Sequence, residues 1–314
     1  MLYLSIMKRK LAIQVKNLSK TFKVGKKEIK AVNDISFDIY KEEFVGFIGQ
    51  NGAGKTTTLK CLTGLLVQDS GEVEVLGYIS QKRDYDFLER ISLVMGNKSQ
   101  LWWELPAIDT FLLNKEIYQI EDKEFEENLN EMVKILGVEE LIQVPVRKLS
   151  LGERMKCELI ASLLHSPELL FLDEPTLGLD VVSQQRLRDF LEEYHKRKKA
   201  TVILTSHNME DIKNLCKRVI MIDKGKILYD GRLSELTEKF VKEKFVHFVL
   251  PEVHQEKEIS GLGKVLEFNG TTGLMLVDRE KIKEVTKVLI DKFDVEDIDI
   301  EEPTLESVVK NIWG

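Results

Sequence analysis

Gly49-Gln50-Asn51-Gly52-Ala53-Gly54-Lys55-Thr56 has the spacing of a phosphate-cradling loop, Gly-x-x-x-x-Gly-Lys-Thr. Glycines let the main chain turn sharply and bring its N–H groups close to an anion. A helix starting at the end of the loop adds its own free N–H groups and the positive end of its dipole. In this pattern the Lys55 ammonium reaches the β- and γ-phosphates of a nucleotide, and the Thr56 hydroxyl suits Mg²⁺. Gly49, Asn51, Gly52, Ala53, Gly54 and Thr57 supply the rest of the cradle. A second group closes the apolar run Leu169-Leu170-Phe171-Leu172, which ends in Asp173-Glu174. A buried strand would fix Asp173 at the carboxyl edge of a sheet, where a Mg²⁺-coordinating carboxylate is needed. Glu174, one residue on, is placed to take a proton from an attacking water. The two groups together predict binding and hydrolysis of Mg²⁺-ATP.

The elements that must position these groups are legible around them. Phe44–Ile48 is a short, nearly continuous apolar run, as a buried parallel strand should be, and it feeds the loop. Thr56–Leu66 reads as a helix with Leu59, Leu62 and Leu66 on one face. Ala12–Val15 and Ile35–Ile39 read as strands, with the basic stretch Lys23–Lys30 as a solvated hairpin turn. Strand-like runs at Ile91–Met95, Leu169–Leu172 and Thr201–Thr205 alternate with helical segments, which implies a parallel sheet and an α/β class. Residues 104–165 are rich in Glu, Lys and Leu at helical spacing, broken near Val144–Pro145. They read as a helical subdomain, beginning at about residue 98, in which Glu121–Glu131 is a solvated face. A different pattern follows. Phe245–Leu250, Lys264–Phe268 and Gly273–Val277 read as strands, and Glu280–Phe293 as a helix with Asp278 as N-cap. Asp297–Glu301 alternates apolar and acidic residues, and Thr304–Trp313 reads as a closing helix. The expected organisation is an extension over 1–11, a nucleotide-binding domain over 12–233 and a small α+β domain over 245–314.

Bulk properties exclude several classes. The chain has 314 residues and a formal net charge of −7. That acidity argues against a protein that lives on nucleic acid. Three scattered cysteines, Cys61, Cys157 and Cys216, lack metal-ligand spacing and read as reduced packing residues. No apolar run approaches the ~18 residues that span a bilayer. In Met1–Leu11 the apolar residues precede Lys8, Arg9 and Lys10, the reverse of a secretory signal, so the stretch reads as an untargeted extension with Met7 as an alternative start. The expectation is a cytoplasmic protein whose membrane role, if any, runs through a partner.

Leu149-Ser150-Leu151-Gly152-Glu153 lies between the two chemical motifs, and Gly178-Leu179-Asp180 and then Ser206-His207 follow them. In this order and spacing the chain, over roughly residues 12–232, resembles the ATPase domain of the ABC transporter superfamily. It departs from the commonest signature, Leu-Ser-Gly-Gly-Gln, at the third and fifth positions. The resemblance implies a P-loop NTPase of ABC type, with a mixed sheet core, an antiparallel β subdomain and a helical subdomain. It implies a head-to-tail homodimer in which each ATP lies between the loop of one chain and the signature of the other. Ser150 and the Gly152 amide would then touch the γ-phosphate held by a partner, and Asp180 would cross the interface. His207 would contact the γ-phosphate and orient the water with Glu174. Phe22, on the turn after the first strand, would stack on adenine. Asn97 is the best match for the family's metal-sensing glutamine, with Gln100 as the alternative. Trp102 and Trp103 fall in the region that faces the membrane subunit in the family, and read either as a pocket wall for a partner helix or as the closure between subdomains. The stretch Asp297–Val309 is similar to the tail of exporter-type ABC ATPases, which implies a separate polytopic membrane permease and a peripheral position on the inner face of the cell membrane. The competing readings are weaker. A non-transport ABC ATPase acting on nucleic acid or the ribosome usually carries a long coiled coil or two phosphate loops, and this chain has one loop and no sustained heptads. A GTPase needs Asn-Lys-x-Asp, and Asn97-Lys98-Ser99-Gln100 lacks the Asp.

Overall fold

The computed structural model describes residues 10–25, 27–96, 98–240, 243–302, 305, 306 and 309. The chain divides between Arg232 and Leu233 into two compact units.

The first unit opens with a long hairpin, β1 (Leu11–Val24) and β2 (Lys27–Tyr40), paired from Leu11↔Tyr40 to Val24↔Lys27. The basic stretch Lys23–Lys30 is therefore mostly strand, and only its tip turns. Cross-strand pairing carries the ladder through residues that local polarity marks as loop. Next come β3 (Phe44–Ile48), α1 (Lys55–Leu62), β4 (Ser70–Val75), β5 (Tyr78–Ile79), the single turn α2 (Tyr85–Leu88) and β6 (Ile91–Met95). A helical segment follows, α3 (Ala107–Ile117), α4 (Asp122–Leu136) and α5 (Leu151–Leu163). The unit closes with β7 (Leu169–Asp173), α6 (Val181–Lys198), β8 (Thr201–Thr205), α7 (Met209–Leu215), β9 (Arg218–Asp223) and β10 (Lys226–Arg232).

These strands make two sheets. One is antiparallel, in the order β2-β1-β4-β5. The other runs β10-β9-β3-β8-β7-β6; all of its pairs are parallel except β10 with β9. Every residue of β3, β7 and β8 is buried, which is why these strands read as unbroken apolar runs rather than alternating ones. A single core joins Ile13, Leu18 and Phe37 of the hairpin sheet to Phe47, Phe171 and Ile203 of the parallel one, with Leu59 and Leu62 of α1. α1 stops at Leu62, four residues short of its expected end, because Gly64 turns left-handed at φ +70°. In α4 the residues Phe125, Leu129, Met132, Val133 and Leu136 are buried, and the acidic stretch is the opposite, solvated face. All three cysteines are buried and unpaired, and burial pushes their thiols up, to about 11 for Cys61 and about 12 for Cys157.

The second unit contains α8 (Leu233–Phe240), β11 (Glu243–Val249), α9 (Glu256–Ile259), β12 (Lys264–Phe268), β13 (Thr272–Asp278), α10 (Ile282–Phe293) and β14 (Asp297–Glu301). From β11 onward the order is βαββαβ, and the antiparallel sheet runs β12-β13-β11-β14, a ferredoxin-like arrangement. Its core is Val246, Phe248, Met275 and Val277 of the sheet against Val285, Leu289 and Phe293 of α10. Asp278 is not the N-cap of that helix. It stays in the ladder opposite Glu243, and the helix starts a turn later with Lys281 at the cap position. The closing helix expected over Thr304–Trp313 lies outside the described residues apart from Leu305, Glu306 and Val309, as do the first nine residues of the N-terminal extension.

Candidate functional site

The phosphate loop joins the end of β3 to the start of α1. Gly54 occupies the N-cap of α1 at φ +112°, and a Cβ there would stand 2.3 Å from the Ala31 carbonyl oxygen, so no other residue fits. Lys55 is only 6% exposed. Its ammonium donates to the carbonyl oxygens of Gly49 (2.6 Å) and Gln50 (3.3 Å), and lies 3.9 Å from the Glu174 carboxylate. Burial lowers its pKa, while Glu174 and Asp173 oppose the shift.

Asp173, the last residue of β7, is the hub. Its Oδ2 accepts from the Thr56 hydroxyl at 2.8 Å, and its Oδ1 from the Thr205 hydroxyl at 2.6 Å. One carboxylate thus ties the end of β7 to the start of α1 and the end of β8. Glu174 leaves the strand in a left-handed conformation, φ +56°, rare for a side-chain-bearing residue. Its N–H donates to the Thr205 carbonyl at 3.1 Å, which holds this turn. The His207 N–H donates to Glu174 Oε2 at 3.0 Å, and His207 Nε2 lies 3.2 Å from Oε1. Desolvation raises the pKa of Glu174, against the pull of His207 and Lys55. A carboxylate with a raised pKa, oriented by a histidine and a lysine, is suited to receive a proton.

Ser150 and Asp180 stand elsewhere, each at the start of a helix. Ser150 caps α5 in a reciprocal box: its hydroxyl accepts from the Glu153 N–H, and the Glu153 carboxylate accepts from the Ser150 N–H at 2.8 Å. Glu153, at the fifth signature position, completes this cap, a role that the commoner Gln can also fill. The leucine at the third position is matched by Gly178: at φ +74°, a Cβ on Gly178 would stand 2.8 Å from Leu151 Cδ2. Asp180 caps α6, accepting from the Ser183 N–H at 3.0 Å. Among the described residues, no hydrogen bond or ion pair joins Ser150, Gly152 or Asp180 to the Lys55–Asp173–Glu174–His207 group.

One expectation about this region changes. Phe22 lies within β1, paired with Ile29, and not on a turn after it, because the hairpin ladder runs on past it; its ring is exposed with the Lys20 ammonium 5.9 Å from its centroid. Asn97 lies outside the described residues. The side chain of Gln100 donates to Ser162 Oγ at 2.9 Å and to the Leu93 carbonyl at 3.3 Å, so its amide is committed to α5 and β6. Trp102 and Trp103 are 58% and 52% exposed, and the Arg154 guanidinium of α5 lies 5.6 Å from the centroid of the Trp103 ring.

Sequence reasoning missed a buried network behind the site. Asp211, with no exposed surface, accepts from the Thr176 hydroxyl at 2.5 Å, the Ser206 hydroxyl at 2.7 Å and the Arg188 guanidinium at 2.8 Å. Thr176 is two residues beyond Glu174, and Ser206 immediately precedes His207, so this one carboxylate ties together the two segments that carry Glu174 and His207. Replacing it with Ala leaves the buried guanidinium without its counter-charge. Chemical denaturation of Asp211→Ala is expected to show a loss of about 3–5 kcal/mol.

A phosphate cradle between strand and helix, with an acidic pair at the end of β7, the next strand but one in the same parallel sheet, defines a P-loop nucleoside triphosphatase. The comparisons with known proteins narrow the class. Residues 32–177 match the family model described as ABC transporter, and residues 242–301 match that of the EvrA-like ABC transporter C-terminal domain. The chain is 34% identical over 226 residues to the ABC transporter ATP-binding protein NatA of Bacillus subtilis, covering 72% of this chain and 92% of that one. It is 28% identical over 314 residues to the linearmycin resistance ATP-binding protein LnrL of the same organism, covering 96% and 98%. Among solved structures it is similar to a dimeric ATP-binding cassette in a post-hydrolysis state bound to ADP and Pi, with a TM-score of 0.64 at 23% identity, covering 70% of this chain and 98% of that one. The chain belongs to the ABC transporter family and is an ATP-binding, ATP-hydrolysing subunit of a transporter. No helix among the described residues is long and apolar enough to cross a membrane.

Proposed function

We propose that this chain powers an exporter as a head-to-tail homodimer beneath a separate polytopic permease, on the inner face of the cell membrane. The observation that carries the proposal is the separation of two half-sites on one chain. Lys55, Asp173, Glu174 and His207 form one cluster, while Ser150, Gly152 and Asp180 sit at helix starts that make no polar contact with it. A second copy in head-to-tail contact would bring the helix start at Ser150–Gly152, with its free N–H groups, to the γ-phosphate.

In this reading the loop Gly49–Thr57, with Asn51, Gly52, Ala53 and Gly54, wraps the phosphates, and Phe22 stacks on adenine. Lys55 balances charge on the β- and γ-phosphates. Glu174 accepts a proton from the attacking water, which His207 helps to orient, and the transferred phosphoryl leaves in line. Positioning and fixed charge do most of the work. The Thr56 hydroxyl and the Asp173 carboxylate, 2.8 Å apart, present the hard oxygens that Mg²⁺ prefers. Mg²⁺, when bound there, would neutralise phosphate charge; Asn97 is proposed as a further contact. The accessory domain at 245–314 is proposed as a separate unit appended to the ATPase domain at 12–233. Its match to an EvrA-like ABC transporter C-terminal domain supports an accessory domain of a transporter, and the full-length similarity to a linearmycin resistance ATP-binding protein supports export. Exposed Trp102 and Trp103 are the proposed seat of the permease. The net charge of −7 speaks against direct binding of nucleic acid.

Mild cross-linking in membranes with ATP, followed by affinity purification, tests this. Recovery of a polytopic membrane protein is expected. Recovery of ribosomes or DNA-processing proteins alone would overturn the transport assignment and favour an ATPase that acts on nucleic acid.

A further inference from the structure

Glu158 is a glutamate in the middle of α5, only 3% exposed, and no part of the proposed site uses it. A carboxylate is not left in a protein interior without donors. Here the donors come from one short segment of chain. The Gln100 N–H donates to Oε1 at 2.8 Å and Oε2 at 3.0 Å, the Leu101 N–H reaches Oε1 at 3.4 Å, and the Ser99 hydroxyl donates to the same oxygen. A second tie to the same helix comes from Gln100, whose side-chain amide donates to Ser162 Oγ at 2.9 Å. A third comes from Arg154, one turn before Glu158, whose guanidinium sits 5.6 Å from the centroid of the Trp103 ring. Burial raises the Glu158 pKa, and these donors together with Arg154 oppose that shift.

The segment so held, Ser99–Leu101, leads directly into the exposed Trp102 and Trp103. The helix that holds it begins at Ser150, the proposed γ-phosphate contact, and its far end leads into β7 and Asp173. Glu158 lies eight residues from Ser150, about 12 Å along the helix axis. Resting on the transport reading above, we propose that Glu158 is a positioning residue that clamps Ser99–Leu101 to α5, so that the tryptophan pair and the signature start move as one body. Displacement of the signature by ATP at the partner site then reaches the tryptophans without slack, and a push on the tryptophans reaches the signature.

The full-length chain suits a direct test, because it has three tryptophans and Trp313 can be replaced by Phe, leaving emission from Trp102 and Trp103. In this parent, Glu158→Ala is expected to lower the tryptophan anisotropy and to raise the acrylamide quenching constant roughly two-fold. Its kcat, per ATP site titrated by nucleotide binding, is expected to fall on the order of ten-fold, with KM for ATP within about two-fold, since misplacement rather than lost binding is at fault. Glu158→Gln keeps a carbonyl oxygen for the two N–H donors and is expected to restore most of both readings. Arg154→Ala, which strands no buried donor, guards against misfolding of the first variant and is expected to shift both readings in the same direction by less. If Glu158→Ala and Arg154→Ala both leave anisotropy, quenching and kcat at the parental values, the clamp is wrong. The fluorescence readings judge it whether or not the parent turns over ATP, whereas an inactive parent would count against the ATPase site itself.

Discussion

Glu174→Gln is expected to bind ATP as the parent does and to hydrolyse it roughly 10²–10⁴ times more slowly, the span a general base contributes. Gln is nearly isosteric with Glu. It can still accept from the His207 N–H, which donates to Oε2 at 3.0 Å, so the turn held by Thr205 and the placement of His207 should survive. What is lost is the ability to take a proton. The raised pKa adds a second expectation. Desolvation favours the protonated form of Glu174, so the base is disabled as pH falls through a value raised above that of an ordinary glutamate, and kcat should show an acid limb there. Steady-state phosphate release against pH measures both effects. A variant with parental turnover would remove Glu174 from its role.

Lys55→Ala is the second large effect. The ammonium is 6% exposed and ringed by oxygens of Gly49, Gln50 and Glu174. It is therefore a fixed charge in a site with little water, where a single electrostatic contact is worth roughly 10²–10³ in rate. Unlike the glutamine variant, this one should also bind ATP more weakly, because Lys55 faces the phosphates in the ground state as well as during transfer. Calorimetric titration separates the two cases: weakened binding together with lost turnover is expected for Lys55→Ala, and binding at parental affinity would show that the ammonium serves only the folding of its loop.

The sequence announces the phosphate loop and the acidic pair because their chemistry constrains contiguous residues. A cradle must be built from neighbouring amides, and the carboxylates must end a strand. Strands β3, β7 and β8 are legible for a related reason, since burial on both faces leaves only apolar residues. Glu158 and Asp211 are illegible for the opposite reason. Glu158 finds its Gln100 partner 58 positions away and Asp211 finds Thr176 35 positions away, and in their own helices they look like any surface acid. Asp211 even follows another acid, Glu210, in the first turn of α7, where a carboxylate needs no partner beyond the helix dipole. The full length of the hairpin is not legible, because its charged tip is held by its partner strand rather than by local propensity. The helix that ends at Phe293 begins later than its sequence suggests because Asp278, a good capping residue by type, is claimed by the sheet. The glutamate and leucine of the signature look like erosion when read against the commonest pattern. In the fold Glu153 caps a helix, and Leu151 is accommodated by Gly178.

The central claim is that one chain carries two half-sites that only a second copy completes. Analytical ultracentrifugation of Glu174→Gln, with Mg²⁺-ATP and then with Mg²⁺-ADP, tests it most directly. The account predicts the mass of two chains with ATP and of one chain, 36.2 kDa, with ADP. A single chain under both conditions, with ATP demonstrably bound, would contradict it.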